Sequence, residues 1–281
     1  MAAGKEESLR RSVTPWGSYS WGYADVGADI FVALGLVFGA AAGASNVAFL
    51  FAGLVYVCVG LAYTELAAAY PVAGGGQYFV MRGLGDLLGF MAGWAVLLDF
   101  TIDITLFSWG CIGYLSHLPA LHMLDASGNP MLHFAVVFAA IAGLALLNIV
   151  GVRESTAFNG AVSALDVISE TSILFFGFLF AFRPDLLVHS MQTGWPTNFQ
   201  LMNGISLAII SFVGLESISH AAEETNRPAS IIPRTSIALI LTILIFALAY
   251  SNLALGMQPW HPIPAGGGGQ VHDFWRYLGL P

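Results

Sequence analysis

Seven stretches of about 20 mostly apolar residues divide this chain, and each is long enough to carry an α-helix across the hydrocarbon core of a bilayer. They lie near Val26–Ala44, Val47–Tyr70, Leu84–Ser116, Leu132–Val152, Gly160–Phe182, Leu201–Ala222 and Ser236–Met257. The runs are continuously apolar and do not alternate with period two, which excludes a transmembrane β-barrel. Of 281 residues, 57% are hydrophobic and 9% charged, whereas a soluble domain carries about 25% charged residues. The expected fold is therefore all-α and integral to a membrane.

The opening segment, MAAGKEESLRRSVTPWGSYSW, is polar and leads into a full-length span, so it reads as a cytosolic tail and not as a cleavable signal. With the amino terminus inside, Lys5, Arg10, Arg11, Arg82, Arg153, Arg227 and Arg234 fall on the cytoplasmic side, leaving Arg183 and Arg276 outside. This excess of basic residues inside sets the expected orientation in the plasma (inner) membrane. The net charge of −8 comes with no basic patch for nucleic acid. Cys58 and Cys111 lie in different spans and read as small packing residues, not as a disulfide framework.

Ionised carboxylates cost roughly 2.5 to 3.5 kcal/mol at membrane depth, so those that interrupt the apolar runs are functional candidates. They are Asp29 in the first span, Glu65 near the end of the second, Asp99 and Asp103 in the third, Asp166 and Glu170 in the fifth, and Glu216 with His220 in the sixth. Asp99 and Asp103, like Asp166 and Glu170, are four residues apart and share one helix face. Each pair is expected to point into the bundle interior or a wet cavity. Glu65, within a turn of the cytoplasmic end, reads as a structural hydrogen-bonding or ion-pairing residue. Gly35, Gly39 and Gly43 fall four apart, the pattern of close helix packing. His117 and His122 lack the partners of a metal site. The GGGQ at 74–77 lacks the lysine and hydroxyl residue of a phosphate-cradling loop, and no cofactor is expected.

Two segments carry a family pattern. In residues 63–94 stand Tyr63, Glu65 and Leu66, then Pro71, Gly74, Gly75 and Tyr78, then Gly89, Phe90, Gly93 and Trp94. In residues 211–234 stand Phe212, Gly214 and Glu216, then Glu224 and Pro228, then Ile232, Pro233 and Arg234. Their order and spacing resemble the amino acid–polyamine–organocation superfamily of permeases, and the resemblance runs from the first span to the seventh.

The resemblance implies a fold of inverted repeats, five helices related to the next five by an in-plane pseudo-two-fold axis, with the first and sixth helices broken at mid-membrane. It divides the chain into a cytoplasmic tail (1–22), a first repeat (23–182), the start of a second repeat (183–257) and an extracellular loop (258–281). It implies non-helical interruptions at Gly27–Asp29 and Ser211–Gly214, facing each other. Gly27 and Ala28 would offer backbone N–H groups to a substrate carboxylate, with Asp29 and Ile30 beside them. Ser211, Phe212, Val213 and Gly214 would offer carbonyl groups to its ammonium. Asp99 and Asp103 are expected to turn toward the first or sixth span.

Four departures from the family follow. Asp29 stands where many members have glycine; it can receive an ammonium, tune a proton, or cap the half-helix that begins at Ile30. The fifth-span lysine that serves ion coupling in some members is missing, and Asp166 is the nearest polar residue. The aromatic lid position is Ile210, leaving Phe212 as the closest aromatic. The chain ends after the seventh helix of a core that needs about ten, so it is expected to be truncated. The expected function is secondary transport of amino acids, coupled to protons or sodium or working by exchange, with Glu216 and Asp166 carrying the coupling proton. Polyamines or other organic amines are the alternative substrates, suited to the surplus of carboxylates. A non-transporting membrane subunit or incomplete gene product is the alternative of another class. An intramembrane enzyme would need a nucleophile with a base, or a metal cluster, at helix spacing, and neither is present.

Overall fold

The computed structural model describes residues 13–257 except 28, 117, 127, 151 and 221. The described residues form eleven α-helices: α1 Pro15–Val26, α2 Asp29–Ala41, α3 Ser45–Ala69, α4 Gly75–Leu84, α5 Asp86–Leu115, α6 Pro130–Val150, α7 Val152–Phe176, α8 Pro184–Thr193, α9 Asn198–Ala208, α10 Glu216–His220 and α11 Pro228–Met257. Among the described residues six helical runs are long and apolar enough to cross a membrane: Ala33–Ala69, Asp86–Leu115, Pro130–Ile149, Ser155–Ala181, Asn198–His220 and Pro228–Met257. The chain is thus an all-α, multi-pass membrane protein. The first of these runs joins the first two expected spans, because only a 3₁₀ turn at Ala42–Ala44 separates α2 from α3.

With 13 residues, α2 is only about 20 Å long at 1.5 Å per residue and cannot cross a core of about 30 Å alone. The helix that completes it is α1, which begins at Pro15, within the segment expected to be tail. Thr14 caps α1 by accepting a hydrogen bond from the Gly17 N–H (3.1 Å), and Pro15 occupies the first turn, where its missing N–H costs nothing.

Packing groups the chain into two compact units, one of Met1–Gly75 with Asn159–Pro281 and one of Gly76–Phe158. In the first unit α3 lies against α11. A Cβ added to Gly53 would come 2.4 Å from Leu244 Cδ1, and one on Gly60 2.7 Å from Ile240 Cδ1. Glycines seven apart thus let the side chains of α11 pack closely against α3. The expected stripe at Gly35, Gly39 and Gly43 is only partly of this kind. A Cβ on Gly43 would reach the Ser190 carbonyl, whereas Gly39 opens on empty space. Tyr23, Leu34, Phe38, Phe49, Ile218, Ile232, Leu239 and Leu255 are buried at the centre of this unit.

Main-chain hydrogen bonds fasten the start of α1 to the loop after α10. The Val13 N–H donates to the Glu224 carbonyl (3.0 Å), and the Asn226 N–H donates to the Val13 carbonyl (3.1 Å). The turn between α3 and α4 packs close by. Gly75, at φ +46°, adopts a backbone that L side chains avoid, and its missing Cβ leaves room for Ser219 Oγ and the His220 ring. This explains one glycine of the sequence pattern.

The second unit is built on α5 and α6. Ile112, Leu124 and Val137 form its small core, and the buried His133 ring nitrogen Nδ1 meets the Leu124 carbonyl at 2.7 Å. Most other side chains of these helices are exposed and apolar, as lipid contact requires.

Candidate functional site

The first span breaks at the end of α1. The Gly27 N–H makes a last helical hydrogen bond to the Tyr23 carbonyl (2.7 Å), with Gly27 itself at φ −62°, ψ −40°. A Cβ on Gly27 would lie 2.8 Å from that carbonyl and 3.1–3.2 Å from the Tyr23 ring, so only glycine lets the ring fold under the break. Helix resumes at Asp29. The interruption is therefore shorter than the expected Gly27–Asp29: Asp29 opens α2, and Ala28 lies outside the described residues. The Gly27 N–H, expected to face a substrate carboxylate, is taken by Tyr23. Asp29 is 3% exposed in the first turn of α2, where the helix dipole and free N–H groups favour a carboxylate. Ile30 beside it is buried as well.

The sixth span breaks differently. Following α9, Ile209–Phe212 tightens into a 3₁₀ turn, Val213 is extended (φ −76°, ψ 146°), and Gly214 takes φ +117°. Ser211 and Phe212 thus lie in the 3₁₀ turn, and the non-helical part of the expected Ser211–Gly214 interval is Val213–Gly214. Glu216 starts α10 and reaches back, its Oε2 accepting the Gly214 N–H at 3.1 Å. Phe212 stacks on Tyr56 with ring centroids 5.0 Å apart. Both Ser211 Oγ and the Tyr56 hydroxyl are buried without a hydrogen-bond partner among the described residues.

The two breaks meet. A Cβ on Gly214 would fall 2.9 Å from Asp25 Cβ and Cγ and from Val26 Cγ2, and the Ser217 hydroxyl donates to Asp25 Oδ2. Ser217 lies 192 residues from Asp25 in the chain, so no local sequence pattern announces this contact.

A second polar cluster adjoins the first break. The Tyr23 hydroxyl donates to Glu170 Oε2, and the Tyr250 hydroxyl donates to the Glu170 backbone carbonyl (3.2 Å). Glu170 is 1% exposed, whereas Asp166, one turn earlier on α7, is partly exposed. Asp99 and Asp103 lie four residues apart on α5, in the other unit, and both are partly exposed. Among the described residues no group of three His, Cys, Asp or Glu could hold a metal ion. Outside the spans, Glu224 has its carboxyl raised above the ordinary 4.5 by burial and by the neighbouring Glu223.

Comparison with known proteins matches residues 18–276 to a family described as amino acid permease. The chain is 27% identical over 273 residues to a branched-chain amino acid permease of Bacillus subtilis, covering 92% of this chain and 57% of that protein. It is 28% identical over 280 residues to a methylthioribose transporter of the same organism, covering 94% and 59%. Against cationic amino acid transporter 9, chloroplastic, of Arabidopsis thaliana it is 27% identical over 252 residues, covering 84% and 43%. The chain thus spans less than two thirds of the length of each.

Proposed function

Since the chain belongs to the amino acid permease family, we propose that it forms the substrate-binding and gating part of a secondary active transporter that carries amino acids across a lipid bilayer. The observation behind this reading is the seating of one helix break on the other, Gly214 against Asp25 and Val26. Irregular backbone at membrane depth is tolerated where it lines a cavity, and the start of a half-helix offers N–H groups to an anion. The substrate carboxylate would meet the first turn of α2 at Asp29 and Ile30. The ammonium would meet the carbonyls of Ser211, Phe212 and Val213. In this reading the helices form the inverted repeat, residues 23–182 against a second repeat that begins at 183. The amino terminus is cytoplasmic, in the plasma membrane, and transport is coupled to protons or sodium.

The buried Asp29 favours a second reading, an organic amine as substrate, because a carboxylate at the start of α2 competes with a substrate carboxylate for the same N–H groups and attracts a cation instead. The names of the relatives, branched-chain and cationic amino acids and methylthioribose, set the panel. The protein, reconstituted in proteoliposomes, is expected to take up one of these classes. An amino acid substrate is retained with weakened cation preference in Asp29→Asn, whereas a polyamine substrate is lost. Failure of every member to move or to raise the melting temperature defeats the reading.

A further inference from the structure

We infer that Glu170 is an exchangeable-proton site that acts on the first-span break through Tyr23; the inference rests on the transporter reading and places coupling on a carboxylate other than Asp166 or Glu216. Three features carry it. Glu170 is enclosed among helices of a membrane protein, and among the described residues the one ion pair is Arg183–Asp185, so no described Lys, Arg or His pairs with it. Its Oε1 has no hydrogen-bond partner among the described residues, and its Oε2 is held by the Tyr23 hydroxyl. Tyr23 is also the residue whose carbonyl accepts the Gly27 N–H and whose ring fills the space under Gly27.

The groups around Glu170 leave it in charge of this linkage. Tyr250, on α11, gives its hydroxyl proton to the Glu170 main chain and not to the carboxylate. Tyr19 stacks on Tyr23 at 5.7 Å from its own position on α1, and Asp166 lies one turn away on α7. The step is a proton transfer alone. A proton from the aqueous side binds one Glu170 oxygen, and the Tyr23 bond changes from one to a carboxylate into one to a neutral acid. Hydrogen bonds to charged acceptors are roughly twice as strong as neutral ones, so protonation loosens the hold of α7 on the end of α1, and release of the proton restores it. The break at Gly27 then moves with the charge on Glu170, which is what coupling an ion to a gate requires.

Uptake by the parent protein, Glu170→Gln, Tyr23→Phe and Asp166→Asn is compared in acidic and alkaline buffer. Coupling of ordinary size makes the parent differ about tenfold between the two, and leaves Glu170→Gln and Tyr23→Phe differing by less than about twofold while Asp166→Asn keeps the parent profile. Infrared difference spectra are expected to show a carboxylic-acid carbonyl band that follows pH in the parent and is missing from Glu170→Gln. A pH profile kept by Glu170→Gln, or by Tyr23→Phe should the first variant not fold, overturns the inference, as does a parent that transports without pH dependence; the transporter reading survives all three. If nothing is transported, that reading fails, and the infrared band alone decides whether Glu170 exchanges a proton.

Discussion

The breaks in the first and sixth spans touch, yet they are built by opposite means. At Gly27 the backbone stays helical in its dihedral angles, and the interruption is short because a side chain, the Tyr23 ring, occupies the space beneath it. At Gly214 the backbone itself departs, through an extended Val213 and a φ of +117°, and a neighbouring carboxylate, Glu216, takes up the freed N–H. One glycine is required by what packs against it; the other is required by packing and by its own conformation. A bend of the first kind can be set by a side chain elsewhere, whereas the second is fixed locally.

Substitution at Gly214 tests this most severely. Gly214→Ala combines a conformation that L residues avoid with contacts of 2.9 Å to Asp25 and Val26, and is expected to cost about 3 to 5 kcal/mol in thermal or denaturant unfolding in nanodiscs. Gly27→Ala meets only crowding, at an allowed φ, and should cost about 1 to 3 kcal/mol. Equal costs at the two positions would erase the distinction drawn between them. Glu216→Gln keeps an acceptor for the Gly214 N–H, so a loss of about 1 kcal/mol or less is expected. A pH dependence of uptake abolished by this variant, with binding kept, would move coupling to the sixth break and against Glu170.

The smallest effect concerns Glu224, on the loop that ties the two spans together. Its carboxyl is raised above 4.5, so the folded protein holds this proton more tightly than the unfolded chain does. Stability therefore falls as pH rises from the unfolded value through the folded one. Glu224→Gln should melt slightly higher than the parent at neutral pH, with the difference shrinking on acidification below 4.5; a difference that grows in acid contradicts the sign.

The spans were legible because the bilayer demands long apolar runs, and Leu132–Val152 or Ser236–Met257 needed no more than that. The beginning of the first span was not, because α1 packs Ser18, Ser20 and Tyr23 against protein and carries few of the lipid-facing residues that a hydropathy reading detects. Helical spacing put Asp166 and Glu170 on one face but could not tell which of them the neighbours enclose. Gly214 was readable from the family pattern. The Asp25–Ser217 contact was not, since nothing local in either segment announces a partner on a distant helix.

The backbone strap between Val13 and residues 224–226 bears on how this protein can diverge. Both of its hydrogen bonds run between main-chain groups, so exchange of Glu224 or Asn226 for most other side chains leaves the joint intact. The linkage from Tyr23 to Glu170 depends on one hydroxyl and one carboxylate, and a single replacement removes it. Over long descent the main-chain joint can persist under a changing surface, whereas a side-chain linkage can be gained, lost or exchanged one residue at a time.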